Sequence, residues 1–121
     1  MKTIAIIGAG KIGATIARLL TGSGDYRITV IDRSDAELAA LAGEAAVETL
    51  ALDISDSAAL TAALTGKYAV LSAAPFHLTI AIAEAAAKAG VHYLDLTEDV
   101  AATRRVKEIA ATARTAFIPQ C

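Results

Sequence analysis

Ile4-Ala5-Ile6-Ile7-Gly8-Ala9-Gly10-Lys11-Ile12-Gly13 opens the chain with an apolar run and then three glycines spaced Gly-x-Gly-x-x-Gly. Ala14-Thr15-Ile16-Ala17-Arg18-Leu19-Leu20 follows with apolar residues at helical spacing. A second apolar run, Ile28 to Ile31, ends in Asp32. The order is strand, glycine turn, helix, strand, acid. The acid follows the turn at roughly the 20 residues of the dinucleotide-binding fingerprint.

Each residue type has a mechanical reason. Gly8 permits a tight turn off the strand, Gly10 lets backbone approach a pyrophosphate, and Gly13 lets the helix lie close to the first strand. The helix start, near Lys11 to Ala14, offers unpaired N–H groups and a partial positive charge to an anion. Ala9, Lys11 and Ile12 lie within the turn, and Lys11 either screens the pyrophosphate or is simply exposed. A carboxylate at Asp32 can accept from ribose hydroxyls. Arg33, next to it, can stack on adenine, pair with a 2′-phosphate, or remain a solvated surface residue.

The 121 residues suffice for one domain with one core. The net charge of −2 and the scattered basic residues give no footprint for nucleic acid. The hydrophobic fraction is 55%, but much of it is alanine. The longest charge-free stretch, Tyr68 to Ala83, is interrupted by Pro75 and His77 and falls short of the ~20 residues of a membrane span. The single cysteine, Cys121, allows no disulfide within the chain and fits a reducing compartment. A cytoplasmic location is expected.

Strands and helices alternate throughout. Strands are predicted at Thr3 to Ile7, Arg27 to Asp32, Val47 to Ala51, Tyr68 to Ser72, His92 to Asp95 and Ala116 to Ile118. Helices are predicted at Lys11 to Thr21, Asp35 to Ala42, Ser57 to Leu64, His77 to Ala89 and Asp99 to Arg114. Gly22-Ser23-Gly24, Gly43, Gly66 and Gly90 stand where helices end. Ser34, Ser55 or Asp56, and Glu98 or Asp99 stand where helices begin. With right-handed crossovers this series gives an α/β, three-layer, doubly wound parallel sheet of six strands in the Rossmann order 3-2-1-4-5-6. Residues 1–121 form a single domain, and the stop directly after the sixth strand suggests the excised N-terminal domain of a longer enzyme.

Ligands of such sheets bind at the carboxyl ends of the strands, where strand order reverses. Asp53 and Ile54 close the third strand and can face the adenine edge; alternatively the carboxylate caps a loop. Ala73, Ala74 and Pro75 follow the fourth strand, and small residues there let a ribose and nicotinamide pass close to the backbone. The alternative is a plain strand-to-helix turn. His77 can approach the substrate side or be a polar surface residue. His92, at the far end of its strand, reads as structural, and Tyr93 is expected to pack against a helix. Asp95, Thr97, Glu98 and Asp99 stand at the productive end and can touch the nicotinamide half or a partner domain, or cap a helix. No catalytic residue is assigned, and no metal ligand set.

Ile6 to Gly13, Ile31-Asp32-Arg33 and Leu52-Asp53-Ile54-Ser55-Asp56 resemble the N-terminal domain of the saccharopine dehydrogenase family. Ser72-Ala73-Ala74-Pro75-Phe76-His77-Leu78 is similar to that family's loop after the fourth strand. Ala89-Gly90-Val91-His92-Tyr93-Leu94-Asp95-Leu96 looks like the approach to its fifth strand. The resemblance covers essentially the whole chain. It implies an oxidoreductase moving hydride between NAD(P) and an amino-acid C–N bond. Its cofactor site would comprise Gly8, Gly10, Gly13, Asp32, Arg33 and Ala73 to Pro75. Substrate groups would lie mostly in a separate C-terminal domain that commonly also builds a homodimer. NAD is slightly favoured over NADP, because the carboxylate of Asp32 occupies the hydroxyl-binding position. The rival is a nucleotide-sensing regulatory domain of potassium transporters, which catalyses nothing. Such sensors tend to have Gly-Asp after the third strand and an acidic loop after the fourth; here Leu52 precedes Asp53, and Ala73-Ala74-Pro75-Phe76 replaces the acidic loop.

Overall fold

A computed structural model describes residues 2–41, 47–96 and 99–118. The strands are β1 (Lys2–Ile7), β2 (Tyr26–Asp32), β3 (Val47–Ala51), β4 (Ala69–Ser72), β5 (His92–Asp95) and β6 (Phe117–Ile118). The helices are α1 (Lys11–Gly22), α2 (Asp35–Ala39), α3 (Ser57–Leu64), α4 (Thr79–Ala89) and α5 (Val100–Ala110). The strands form one sheet in the order β3-β2-β1-β4-β5-β6, and every pairing is parallel. This is the Rossmann arrangement.

Alternation along the central strands builds two cores, because successive side chains of a strand point to opposite faces. Ile4, Ile6, Ile28 and Val30 pack with Ala17 of α1 and Leu38 of α2. Ala5, Ile7, Ile31, Val70 and Tyr93 pack on the other face with Leu60, Ile82 and Val106 of α3, α4 and α5. Apolar residues on both faces are the mark of a sheet covered by helices twice over. Each buried Ile or Leu contributes about 1.5–3 kcal/mol relative to exposure. Ala83, Ala85 and Ala86 of α4 are buried, and their small size lets that helix pack between α3 and α5.

The helix ends follow local chemistry. Ser34 accepts from the Glu37 N–H, Asp56 from Ala59 and Asp99 from Ala102, so α2, α3 and α5 each start with a side-chain cap. Gly90 ends α4 in the left-handed conformation at φ 72°. Gly66 also has positive φ but lies one residue past the cap, which is Thr65.

Three boundaries differ from the sequence expectation by more than one residue. A 3₁₀ turn, Phe76–Leu78, carries His77, and α4 starts only at Thr79. Helix α2 ends at Ala39; Ala42 and Gly43 lie outside the described residues. Helix α5 ends at Ala110, short of Arg114, because the chain must turn back to lay β6 beside β5. Two contacts hold that return: the Thr115 hydroxyl donates to the Val91 carbonyl at 2.8 Å, and the Ala116 N–H donates to His92 Nδ1 at 3.0 Å. His92 is therefore structural, as its position at the start of a strand implied.

Candidate functional site

Strand β1 is flanked by β2 on one side and β4 on the other, so the strand order reverses there. The chain leaves the neighbouring strands β1 and β4 toward opposite faces, to α1 and α4, and opens a crevice at their carboxyl ends. A cleft of about 520 Å³ occupies this place. Gly8, Gly10, Asp32, Arg33, Asp53, Ile54, Ala73, Ala74 and Pro75 line it, together with His77. Four of the residues singled out in the glycine turn stand differently. Ala9 and Gly13 are buried beneath the turn, while Lys11 and Ile12 are exposed on the first turn of α1.

The turn is held by backbone bonds that extend the ladder. The Gly8 N–H donates to the Ile31 carbonyl at 2.8 Å, and the Ala73 N–H donates to the Ile7 carbonyl at 2.9 Å. Gly8 has φ +108°, a conformation that side chains rarely adopt, and a Cβ there would meet the Ala73 carbonyl atoms at 3.1 Å. A Cβ on Gly13 would overlap the Gly8 carbonyl oxygen. Gly10 obeys neither constraint. Its φ of −67° and ψ of −173° suit any residue, and within 4 Å its Cβ would meet only Glu37 Oε2, at 4.0 Å. The fold needs Gly8 and Gly13; the space in front of Gly10 is open.

Gly10 is also the N-cap of α1, and no side chain caps that helix. Its first N–H groups therefore face the crevice end with the positive end of the helix dipole, a natural seat for phosphate.

Asp32 organises the opposite wall. Its Oδ2 accepts from the Ala9 N–H at 2.8 Å and its Oδ1 from the Ser34 N–H at 2.9 Å. Each oxygen keeps further acceptor capacity, since an ionised carboxylate offers about four lone-pair sites. Asp53 Oδ1 accepts from the Ser55 hydroxyl at 2.7 Å and the Ser55 N–H at 2.9 Å. The hydroxyl chiefly, then the N–H, hold its carboxyl below the ordinary Asp range; desolvation opposes them slightly and the nearby Arg33 adds to them. Asp53 thus both caps its turn and lines the cleft.

Asp95 and Asp99 have other work. Asp95 is buried and accepts from the Tyr93 hydroxyl at 2.6 Å, while Tyr93 stacks on Phe117 at 5.2 Å. Asp99 is the N-cap of α5. Thr97 and Glu98 lie outside the described residues. Ser34, Glu37 and Ser55 also line the cleft, and sequence reading missed them as cleft residues. Ser34 and Ser55 read there only as helix-start signals.

Fold, switch-point crevice and glycine turn together define a nucleotide-binding domain of the Rossmann class. Residues 4–118 match the family model of the saccharopine dehydrogenase NADP-binding domain, and the chain belongs to that family. Among solved structures it is similar to apo saccharopine dehydrogenase (L-Glu forming) from Saccharomyces cerevisiae. That match has a TM-score of 0.89 at 21% identity and covers 99% of this chain and 27% of the yeast chain. The scyllo-inositol dehydrogenase of Lactobacillus casei matches with a TM-score of 0.80 at 20% identity, over 98% of this chain and 36% of that one. The WlbA dehydrogenase of Chromobacterium violaceum, solved with NADH and UDP-GlcNAcA, matches with a TM-score of 0.77 at 18% identity, over 98% and 34%. The chain thus spans about a quarter to a third of the length of these enzymes. A search of curated proteins found no match. Among the described residues, no helix is long and apolar enough to cross a membrane.

Proposed function

We propose that residues 1–121 are the dinucleotide-binding domain of a longer, cytoplasmic oxidoreductase of saccharopine dehydrogenase type. The observation that carries this reading is Gly10: a glycine that the fold does not require, set before an uncapped helix N-terminus in the switch-point crevice. In this reading Gly8, Gly10 and the first-turn N–H groups of Lys11, Ile12 and Gly13 hold the pyrophosphate, with Ala9 fixed beneath. Asp32 and Arg33 hold the adenosine ribose, and Asp53 and Ile54 meet the adenine edge. Ala73, Ala74 and Pro75 leave room for the central ribose and nicotinamide. When bound, the cofactor supplies a hydride donor or acceptor. The residues here bind and orient it.

Asp32 favours NAD, and Arg33 is the countervailing group. NADH is expected to bind the 121-residue chain more tightly than NADPH in a calorimetric titration. Tighter NADPH binding that collapses in Arg33→Ala would reverse the preference.

The reaction we propose is hydride exchange with an amino-acid C–N bond, with most substrate groups supplied by a C-terminal domain of the kind that builds a homodimer. Supporting this are the family match and the length of the similar enzymes. Hydride transfer needs nicotinamide and substrate carbon in near-attack contact with water excluded. The open cleft supplies the nucleotide half of that arrangement. The isolated chain is expected to bind cofactor without turning over saccharopine or lysine, whereas the longer protein does, read by absorbance of reduced cofactor. Equal turnover by both would place the catalytic groups within these residues, with His77 the first to mutate.

A further inference from the structure

Ser34-Asp35-Ala36-Glu37 begins α2 with the sequence of a capping box. In that motif the Ser accepts from the Glu N–H, and the Glu side chain reaches back to the Ser N–H. Only the first half is made here. Ser34 Oγ accepts from the Glu37 N–H at 3.3 Å. The Ser34 N–H donates instead to Asp32 Oδ1, at 2.9 Å. Asp32 has taken over the task of the Glu37 carboxylate, so the helix start is satisfied without it.

The displaced side chain is exposed and lines the cleft. Its Oε2 is the atom 4.0 Å from a Cβ built on Gly10. A chain of bonds runs from the glycine turn through Ala9, Asp32 and Ser34 to Glu37. Asp32 and Glu37 both line the cleft, so Glu37 adds a second negative charge to it, next to the second glycine.

We propose that Glu37 is a specificity-determining residue, whose carboxylate selects against a dinucleotide bearing a phosphate on its adenosine ribose. The proposal rests on the dinucleotide reading above. NAD and NADP share the pyrophosphate, and Glu37 acts on both through that group. Only NADP places a further phosphate, near dianionic, at the hydroxyl that Asp32 accepts. Among the described residues that line the cleft, Arg33 is the only Lys or Arg. The added phosphate thus meets Asp32 and Glu37 with one cation in opposition.

The test measures dissociation constants of NADH and NADPH for the 121-residue chain and for Glu37→Gln, which keeps the side chain's size and removes its charge. Circular dichroism monitors folding. Affinity for NADPH relative to NADH is expected to rise about five- to tenfold in the variant at low salt, the scale of one charge pair near a protein surface. The difference between the proteins is expected to shrink as ionic strength rises from about 0.02 M to about 0.5 M. A merely structural role for Glu37 would not produce that salt dependence. An unchanged ratio in a variant that still binds NADH overturns the assignment of Glu37 and leaves the dinucleotide reading standing. Failure of the unsubstituted chain to bind either nucleotide removes both.

Discussion

Gly13→Ala is expected to destabilise the domain by about 3 kcal/mol, at the upper end of typical overpacking costs. A Cβ on Gly13 would overlap the carbonyl oxygen of Gly8 and lie 2.9 Å from its carbon. Both atoms are backbone, and the Gly8 N–H is pinned to the Ile31 carbonyl, so no side chain can swing aside. The strain is relieved only by moving α1 off β1. That movement would loosen Ala17, which is fully buried against the β1 and β2 side chains. Helix propensity acts in the opposite direction, favouring Ala over Gly by about 1 kcal/mol. The overlap outweighs it. Domains are commonly stable by only about 5–15 kcal/mol, so the loss is a large share. The check is a urea titration followed by circular dichroism, where the midpoint should fall at unchanged slope. A higher midpoint would mean that propensity decides and that the helix is free to shift.

The glycine turn was legible because its parts are local. Strand, turn and helix occupy consecutive residues, and each glycine's geometry depends on neighbours within the motif or on the adjacent β4 loop. The strand order was legible for a related reason: handed crossovers leave few ways to thread alternating strands and helices. Helix α5 was overextended in the sequence because Ala111 to Arg114 carry no breaker. What stops the helix is the tertiary demand of pairing β6 with β5, fixed by contacts to Val91 and His92.

The acids were harder. Asp95 looks like a ligand-edge residue, since it ends a strand at the productive edge. It is buried and holds the Tyr93 hydroxyl. Side-chain alternation contained the clue: Tyr93 and Asp95 are two apart and share a face, the face that Tyr93 occupies in the core. Glu37 was hidden by the opposite confusion. Its spacing from Ser34 reads as helix capping, and only the bond from the Ser34 N–H to Asp32 shows that its carboxylate is displaced. That bond joins the end of β2 to the start of α2 through a side chain, and sequence spacing does not encode such a choice.

Gly10→Val is expected to weaken NADH binding by at least about a hundredfold while the domain stays folded. The folding half follows from the backbone. Gly10 has φ −67° and ψ −173°, which a β-branched residue adopts without strain. It is exposed, and a Cβ there meets only the Glu37 carboxylate, at 4.0 Å. Valine is a poorer N-cap than glycine, which costs about 1 kcal/mol or less. The binding half follows from what the branched side chain would fill. It would occupy the space before the uncapped start of α1, where an anion reaches the first N–H groups. Hydrogen bonds to charged groups contribute about 1.5–3 kcal/mol each. Loss of two is worth about 3 kcal/mol or more, a factor of roughly a hundred or greater in affinity. The profile is the inverse of Gly13→Ala, which removes stability through the same turn. Calorimetric titration with NADH, alongside circular dichroism and a urea midpoint, separates the two. Unchanged affinity in a folded Gly10→Val protein would mean that no pyrophosphate lies against this turn, and the switch-point cleft would then hold a different ligand.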